Sequence, residues 1–149
     1  MKDFMGRDVQ IGDTVAIIYH PRAYRFSVKP AIIVEQKGKQ KKLITQLRSS
    51  GIQTGFLPEK DGETYKRIVK INSEFPELAE NEYKDAVGHP LSVGATIVCR
   101  KPVEGGGNTL KGFEDGGVVK KMTDSYVFFK DAEGATKHKA YSNVVVIER

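Results

Sequence analysis

An internal repeat constrains the fold of this chain more than any local pattern does. The segment Met5–Ala16 aligns with Val87–Val98 at a constant offset of 82 residues, as from Gly6 to Gly88. Three positions are identical in the two segments: Gly6 and Gly88, Gly12 and Gly94, Thr14 and Thr96. Apolar positions remain apolar in both. The chain therefore contains two copies of one small module, an arrangement more typical of binding proteins than of enzymes.

The match resumes at the far end of each copy, where Tyr65–Ile71 aligns with Tyr141–Ile147. Between the ends, apolar runs of similar spacing align more weakly: Ile32–Val34 with Gly117–Val119, and Leu43–Thr45 with Val127–Phe129. Modules of this size are near the lower limit for a domain that folds alone. The alternative is one domain of pseudo-twofold design with tightly packed halves.

Strand signals dominate both copies. Runs rich in β-branched and aromatic residues predict ten strands, separated by Gly, Asp and Pro turn signals. The predicted strands are Thr14–Tyr19, Ala31–Gln36, Lys42–Leu47, Thr54–Leu57, Arg67–Ile71, Thr96–Arg100, Gly117–Lys121, Tyr126–Lys130, Thr136–Tyr141 and Val144–Ile147. Five short strands in each copy favour a small closed barrel, because closure removes exposed strand edges.

Residues 72–86 differ from the rest in composition. They hold one basic and five acidic residues, and Ser73 is a candidate N-cap for a short helix with Pro76 near its first turn. The predicted organisation is a basic barrel over 1–71, an acidic and partly helical linker over 72–86, and a second barrel over 87–149. The net charges of these segments are +7, −4 and +2, so positive charge is concentrated in the first module. Such asymmetry indicates a polyanionic partner.

No chemistry-bearing motif stands out. His20, His89 and His138 lack metal-ligand spacing, and no Ser/His/Asp or Cys/His signature is present. Residues 105–109 are glycine-rich but lack the Gly-Lys-Ser/Thr ending of a phosphate loop. We therefore expect no enzyme activity, no metal and no cofactor. The single cysteine, Cys99, lies in an apolar strand and is expected to be a buried thiol.

The segments Ile11–Val15 and Val93–Ile97 resemble the first strand of SH3-like barrels of the KOW and Tudor type. Lys111–Val119 is similar to the KOW continuation, in which glycines lead into a second strand, whereas Arg25–Ile33 has no glycine and departs from it. The resemblance implies all-β tandem barrels that bind nucleic acid, ribosomal or polymerase components, or methylated tails. The chain also resembles the MotB-type transcription modifiers of tailed phages, which bind DNA.

Two basic segments are the candidate contacts in the first module. Arg22–Phe26 mixes cations with aromatic rings after the first strand, and Lys37–Lys42 places four lysines around a tight turn; both are expected near one rim of the barrel. The candidate nucleic-acid-binding residues are Arg22, Tyr24, Arg25, Lys37, Lys39, Lys41, Lys42, Arg48, Lys66, Arg67, Lys101, Lys111, Lys137 and Lys139.

The expected function is sequence-tolerant binding of DNA, duplex in preference to RNA, with a role in transcription or nucleoid structure. No segment resembles a recognition helix for the major groove. Two alternatives stay open: a KOW-type factor associated with RNA, the ribosome or RNA polymerase, and an adaptor that binds a host protein through Tyr19, Tyr24 and Phe26. No apolar run reaches the roughly 18 residues of a membrane span, and the start has no secretory h-region, so we expect a cytoplasmic protein.

Overall fold

The computed structural model describes residues 1–22, 25–59, 63–71, 83–101 and 112–148, with the backbone alone at 21, 22, 25 and 148. The structure is all-β, as predicted. Its strands are β1 Thr14–Arg22, β2 Arg25–Lys37, β3 Lys42–Leu47, β4 Gln53–Phe56, β5 Ile68–Lys70, β6 Thr96–Arg100, β7 Phe113–Met122, β8 Val127–Lys130, β9 Thr136–Lys139 and β10 Val144–Glu148. All ten predicted strands are present, and β2 and β7 begin well before their predicted starts, at Arg25 instead of Ala31 and at Phe113 instead of Gly117.

The strands form two antiparallel sheets with the same topology. The orders are β4-β3-β2-β1-β5 and β9-β8-β7-β6-β10, so the first strand of each copy lies between its second and fifth. Ala16 pairs with Val69 in the first sheet, and Val98 pairs with Val145 in the second. These pairs occupy equivalent repeat positions, and the duplication seen in the sequence is therefore a duplication of strand pairing.

Each sheet encloses its own apolar core. Alternate side chains of a strand point to opposite faces, and in β1 the residues Val15 and Ile17 face inward with Leu43 and Phe56. In the second sheet, Ile97 and Cys99 face inward with Val127, Phe129 and Val144. Cys99 is 1% exposed, which confirms the predicted buried thiol, and burial raises its pKa to about 12.

A third apolar cluster joins the two sheets through the opposite faces of the same strands. Ala16, Val69 and Ile71 of the first copy pack with Val98 and Val145 of the second. Phe113, which is 0% exposed, belongs to this cluster, and its ring lies 6.5 Å from that of Phe4. Its backbone N–H donates to the carbonyl of Lys66 at 2.9 Å. Equivalent positions of the repeat thus meet across the contact, as in the isologous interface of a symmetric dimer.

The structure also corrects the weakest part of the repeat alignment. Ile33 donates its backbone N–H to Asp13, and Val119 donates to the equivalent Ala95. Val119 therefore matches Ile33, and the alignment of 32–34 with 117–119 is wrong by one residue. Both copies place a β-bulge directly after this residue, between Ile33 and Glu35 and between Val119 and Lys121.

Helix is almost absent from the described ranges, whose one helical element is the 3-10 turn Tyr141–Asn143. The predicted helical linker is not confirmed: 83–86, its described end, forms a bridge and a turn, and 72–82 lie outside the described residues. Lys84 pairs with Pro90 as Lys2 pairs with Asp8, so the repeat extends upstream of residue 87. Within the described parts of the chain, no helix is long and apolar enough to cross a bilayer.

Candidate functional site

The turn between β2 and β3 brings four of the candidate lysines together. Lys37 and Lys42 face each other as the last strand pair, and the N–H of Lys41 donates to the carbonyl of Gly38 at 3.1 Å. Gly38 has a φ of 72°, in the left-handed region that glycine adopts without steric cost. We call residues 37–42 the lysine tip.

A buried tyrosine fixes the lysine tip from below. Tyr65 is 1% exposed, and its hydroxyl donates to the backbone carbonyl of Lys41. Burial raises the pKa of Tyr65, against a hydrogen bond with Gln36 that lowers it, so the hydroxyl keeps its proton. Tyr141 occupies the equivalent place in the second copy, where its hydroxyl donates to the carbonyls of Thr123 and Tyr126. The sequence repeat contains both tyrosines, but their function as clamps appears only in the structure.

The lysines of the tip differ in their partners. Lys37 lies 3.7 Å from Glu35, which neutralises part of its charge. Lys39, Lys41 and Lys42 are exposed and form no ion pair with any residue the structure describes. An exposed ammonium without a carboxylate partner is available to a phosphate group, and three such groups at one turn create a local positive potential.

The second candidate segment lies far from the tip. Arg22 and Arg25 pair across the start of the β1–β2 hairpin, and β2 then runs from Arg25 to Lys37. Twelve residue steps of about 3.3 Å separate these two ends along the strand. The expectation that both basic segments lie near one rim is therefore wrong. Tyr24 lies outside the described residues, as do the side chains of the two arginines.

The other candidates of the first module do not join the tip. Arg48 follows β3 at its opposite end, where its N–H donates to Pro30. Lys66 is 3.3 Å from Glu59, beside the contact between the sheets. The Arg67 guanidinium lies 4.9 Å from the centre of the Phe56 ring, and burial lowers its pKa. These residues make contacts within and beside the first module, and they do not add to the positive charge at the lysine tip.

The candidates of the second module are mostly neutralised. Lys137 lies 3.0 Å from Asp131, and Lys139 lies 3.7 Å from Glu114. Lys101 is half-buried and donates its backbone N–H to Gly112, while Lys111 lies outside the described residues. Among the candidates whose side chains the structure describes, the lysine tip is thus the densest group of cations without an ion pair.

Sequence reasoning missed a buried aspartate that recurs in both copies. Asp3 accepts backbone hydrogen bonds from Met5, Arg7 and Lys70, and Asp85 accepts them from the equivalent Val87, His89 and Val146. Each carboxylate thus ties the start of its module to the last strand. Extending the repeat two residues upstream, to Asp-x-x-Gly, would have found both.

The two aspartates have different neighbours. Arg7 lies 3.3 Å from Asp3, whereas the buried His89 lies 3.6 Å from Asp85. Burial raises the pKa of Asp85 to about 6, although the backbone N–H groups around it act in the opposite direction. The charge of Asp85, a buried structural residue of the second module, therefore responds to pH.

A cleft of about 570 Å³ beside Asp3 does not provide a second group of cationic side chains for binding phosphate. It is lined by Arg7, Asp8, Asp13 and Lys70 among others, and Lys70 lies 3.3 Å from Asp13. Its positive groups are thus already paired with carboxylates. No group of three metal-ligating side chains occurs within the described part of the chain.

Comparison with known proteins adds little. A family model described as a domain of unknown function, DUF7205, matches residues 1–57, which end just after β4. No curated protein matches the chain significantly. The crystal structure of Arabidopsis thaliana AGDP1 AGD34 covers 91% of this chain and 80% of its own, at 16% identity and a TM-score of 0.32. A superposition that weak does not establish a shared fold.

Proposed function

We propose that the chain is a non-enzymatic protein that binds DNA through backbone phosphates, with the lysine tip as its main contact. The observation that carries the proposal is the group of three lysines, Lys39, Lys41 and Lys42, on a turn held by Tyr65; none of them has an ion-pair partner among the described residues. The charge of +7 on residues 1–71 supports the same polyanionic partner. Arg22 and Arg25, at the far end of β2, form a separate secondary contact.

We further propose that each sheet, with the segment that precedes it, is a small SH3-like barrel. Five antiparallel strands in one order, an enclosed core and an N-terminal segment bonded to the chain before β5 support this assignment. In the first copy, that bonding runs from Tyr65 N–H to the carbonyl of Lys2 at 2.9 Å. Exposed lysines on a barrel turn contact phosphates and not base edges, so the affinity should depend little on the DNA sequence. Such binding suits a protein that modulates transcription or nucleoid structure.

The test is a fluorescence-anisotropy titration of the full chain with duplex DNA at low and high salt. Lys39, Lys41 and Lys42 are replaced together by Gln, which removes charge but keeps most of the aliphatic stem. Each lost phosphate contact lowers the slope of log affinity against log salt by about one, so the triple variant should lose up to about three. A matched control replaces the exposed Lys29, Lys84 and Lys120 by Gln, with the same change in net charge.

The control separates a local site from general charge. We expect it to keep nearly the whole salt slope of the unmodified chain. Equal losses in both triple variants would contradict the lysine tip as the contact, and absence of binding at low salt would contradict the function. Competition between duplex DNA and structured RNA decides the nucleic acid; tighter binding of RNA would favour the KOW-type alternative.

A further inference from the structure

An exposed aromatic group lies on the second sheet, outside the site proposed above. Tyr126, directly before β8, is 43% exposed, and its ring lies edge-on to His138 of β9 at 4.9 Å. Phe128 of β8 lies 5.5 Å from the same histidine. His138 thus joins the two other rings into one continuous surface, which we call the aromatic platform.

The platform belongs to the outer face of the sheet. Val127 and Phe129 point into the core at 0% and 2% exposure, so the alternate residues Tyr126 and Phe128 point outward. His138 pairs directly with Phe128 across the strands and therefore shares that face. Since β9 is the last strand of its sheet, the platform reaches an edge that no strand in the described part of the chain covers.

The charge of this face suits a polyanion. The Lys121 ammonium lies 5.9 Å from the centre of the Phe128 ring, and exposed Lys130 follows Phe128 on the same side of β8. Thr136, which pairs with Lys130, completes the outward residues of β8 and β9, and none of them is acidic. Rings flanked by lysines are the combination that binds single strands: the rings stack bases and the cations hold phosphates.

The first module shows that the platform is not required by the fold. Strand register places Lys42, Ile44 and Gly55 at the positions of Tyr126, Phe128 and His138. The same scaffold therefore folds with no ring at any of the three. Ile44 and Phe128 are both apolar and half-buried, whereas Lys42 and Gly55 differ in chemistry from Tyr126 and His138.

We propose that the aromatic platform of the second module stacks the unpaired bases of single-stranded nucleic acid. In a duplex the faces of the bases are stacked on neighbouring bases, so only single strands or unpaired segments can stack on the platform. This inference rests on the proposed function only in that the partner is nucleic acid. It assigns the duplex to the lysine tip and the single strand to the second module.

The test exchanges the platform for the residues of the first module, as Y126K/F128I/H138G in the full chain. This exchange adds a positive charge, so any loss of binding comes from the rings and not from electrostatics. If bases stack on two or more of the rings, the exchange should lower the affinity for oligo(dT) by about tenfold or more. Affinity for duplex DNA should stay within about twofold or increase. If the triple variant unfolds, Tyr126→Leu replaces it, because leucine keeps an apolar side chain. This variant should weaken binding of oligo(dT) and leave binding of duplex DNA unchanged.

Two further measurements complete the test. An oligo(dT) carrying 2-aminopurine should change fluorescence on the unmodified chain and not on the exchanged one, because that probe reports base stacking. Lys121→Gln should weaken oligo(dT) binding more than Lys120→Gln, its exposed neighbour. Unchanged oligo(dT) affinity in the exchanged chain, or equal losses on oligo(dT) and duplex, would overturn the proposal. If the lysine-tip variant kept the full salt slope on duplex DNA, the lysine tip would be overturned as the duplex contact and the oligo(dT) result would stand.

Discussion

The two copies differ in chemistry at one corresponding place, the turn between their second and third strands. In the first copy this turn carries exposed lysines, and in the second it is Thr123–Tyr126. Beneath both turns lies the same clamp, a tyrosine hydroxyl that donates to a backbone carbonyl. The buried aspartate and the bulge in the second strand also recur. The internal supports are thus kept while the surface differs, and the two proposed binding sites both lie on the part that differs.

Of the changes considered, one at the contact between the copies should lower the free energy of unfolding most. Phe113→Ala removes a fully buried ring from the cluster that joins the sheets, and such a change typically costs about 3–5 kcal/mol. The measurement is urea unfolding of the full chain, in which a lower m-value would also report lost cooperativity.

A surface change gives the control for that measurement. Leu57→Ala, at a residue that is 53% exposed, should change the free energy of unfolding by less than about 0.5 kcal/mol. A loss below about 1 kcal/mol for Phe113→Ala would show that the sheets do not depend on each other, since typical core truncations cost far more.

The buried Asp85 should make the stability of the chain depend on pH. The folded pKa of Asp85 is about 6 and its unfolded value is near 3.8, so the folded chain binds the proton more tightly. The stabilising contribution of the proton is complete below about pH 4 and is lost as pH rises through 6. The difference of about two pKa units corresponds to roughly 3 kcal/mol.

The experiment measures unfolding free energy against pH for the unmodified chain and for Asp85→Asn. The amide of Asp85→Asn does not titrate. The free energy of unfolding of the unmodified chain, minus that of Asp85→Asn, should therefore fall between about pH 4 and pH 6 and then become flat. Asp115→Asn makes the same charge change at an exposed position and should follow the unmodified profile. Parallel profiles for the unmodified chain and Asp85→Asn would contradict the buried titration.

Sequence patterns predicted the strands well because β-branched runs and turn residues are local signals. They failed on register: Ile32–Val34 matches several frames, and only the backbone pairing of Ile33 selects one. They also placed two basic segments together, since no local signal reveals that β2 continues from Arg25 to Lys37. The aromatic platform depends on which residues of β8 and β9 are paired, information that the spacing of Tyr126 and His138 does not contain.

Removing the tyrosine hydroxyl beneath each turn tests whether this hydrogen bond supports DNA binding in the first copy and not in the second. Tyr65→Phe and Tyr141→Phe each remove a hydroxyl that bonds a turn carbonyl, so each should cost about 1 kcal/mol of unfolding free energy. If the lysine tip binds duplex DNA, only Tyr65→Phe should also weaken that binding, because it releases the backbone of Lys41. Anisotropy titrations beside urea unfolding compare the two variants at matched stability. An equal loss of duplex binding in both would show that the tyrosines act through stability, and the two turns would then not differ in function.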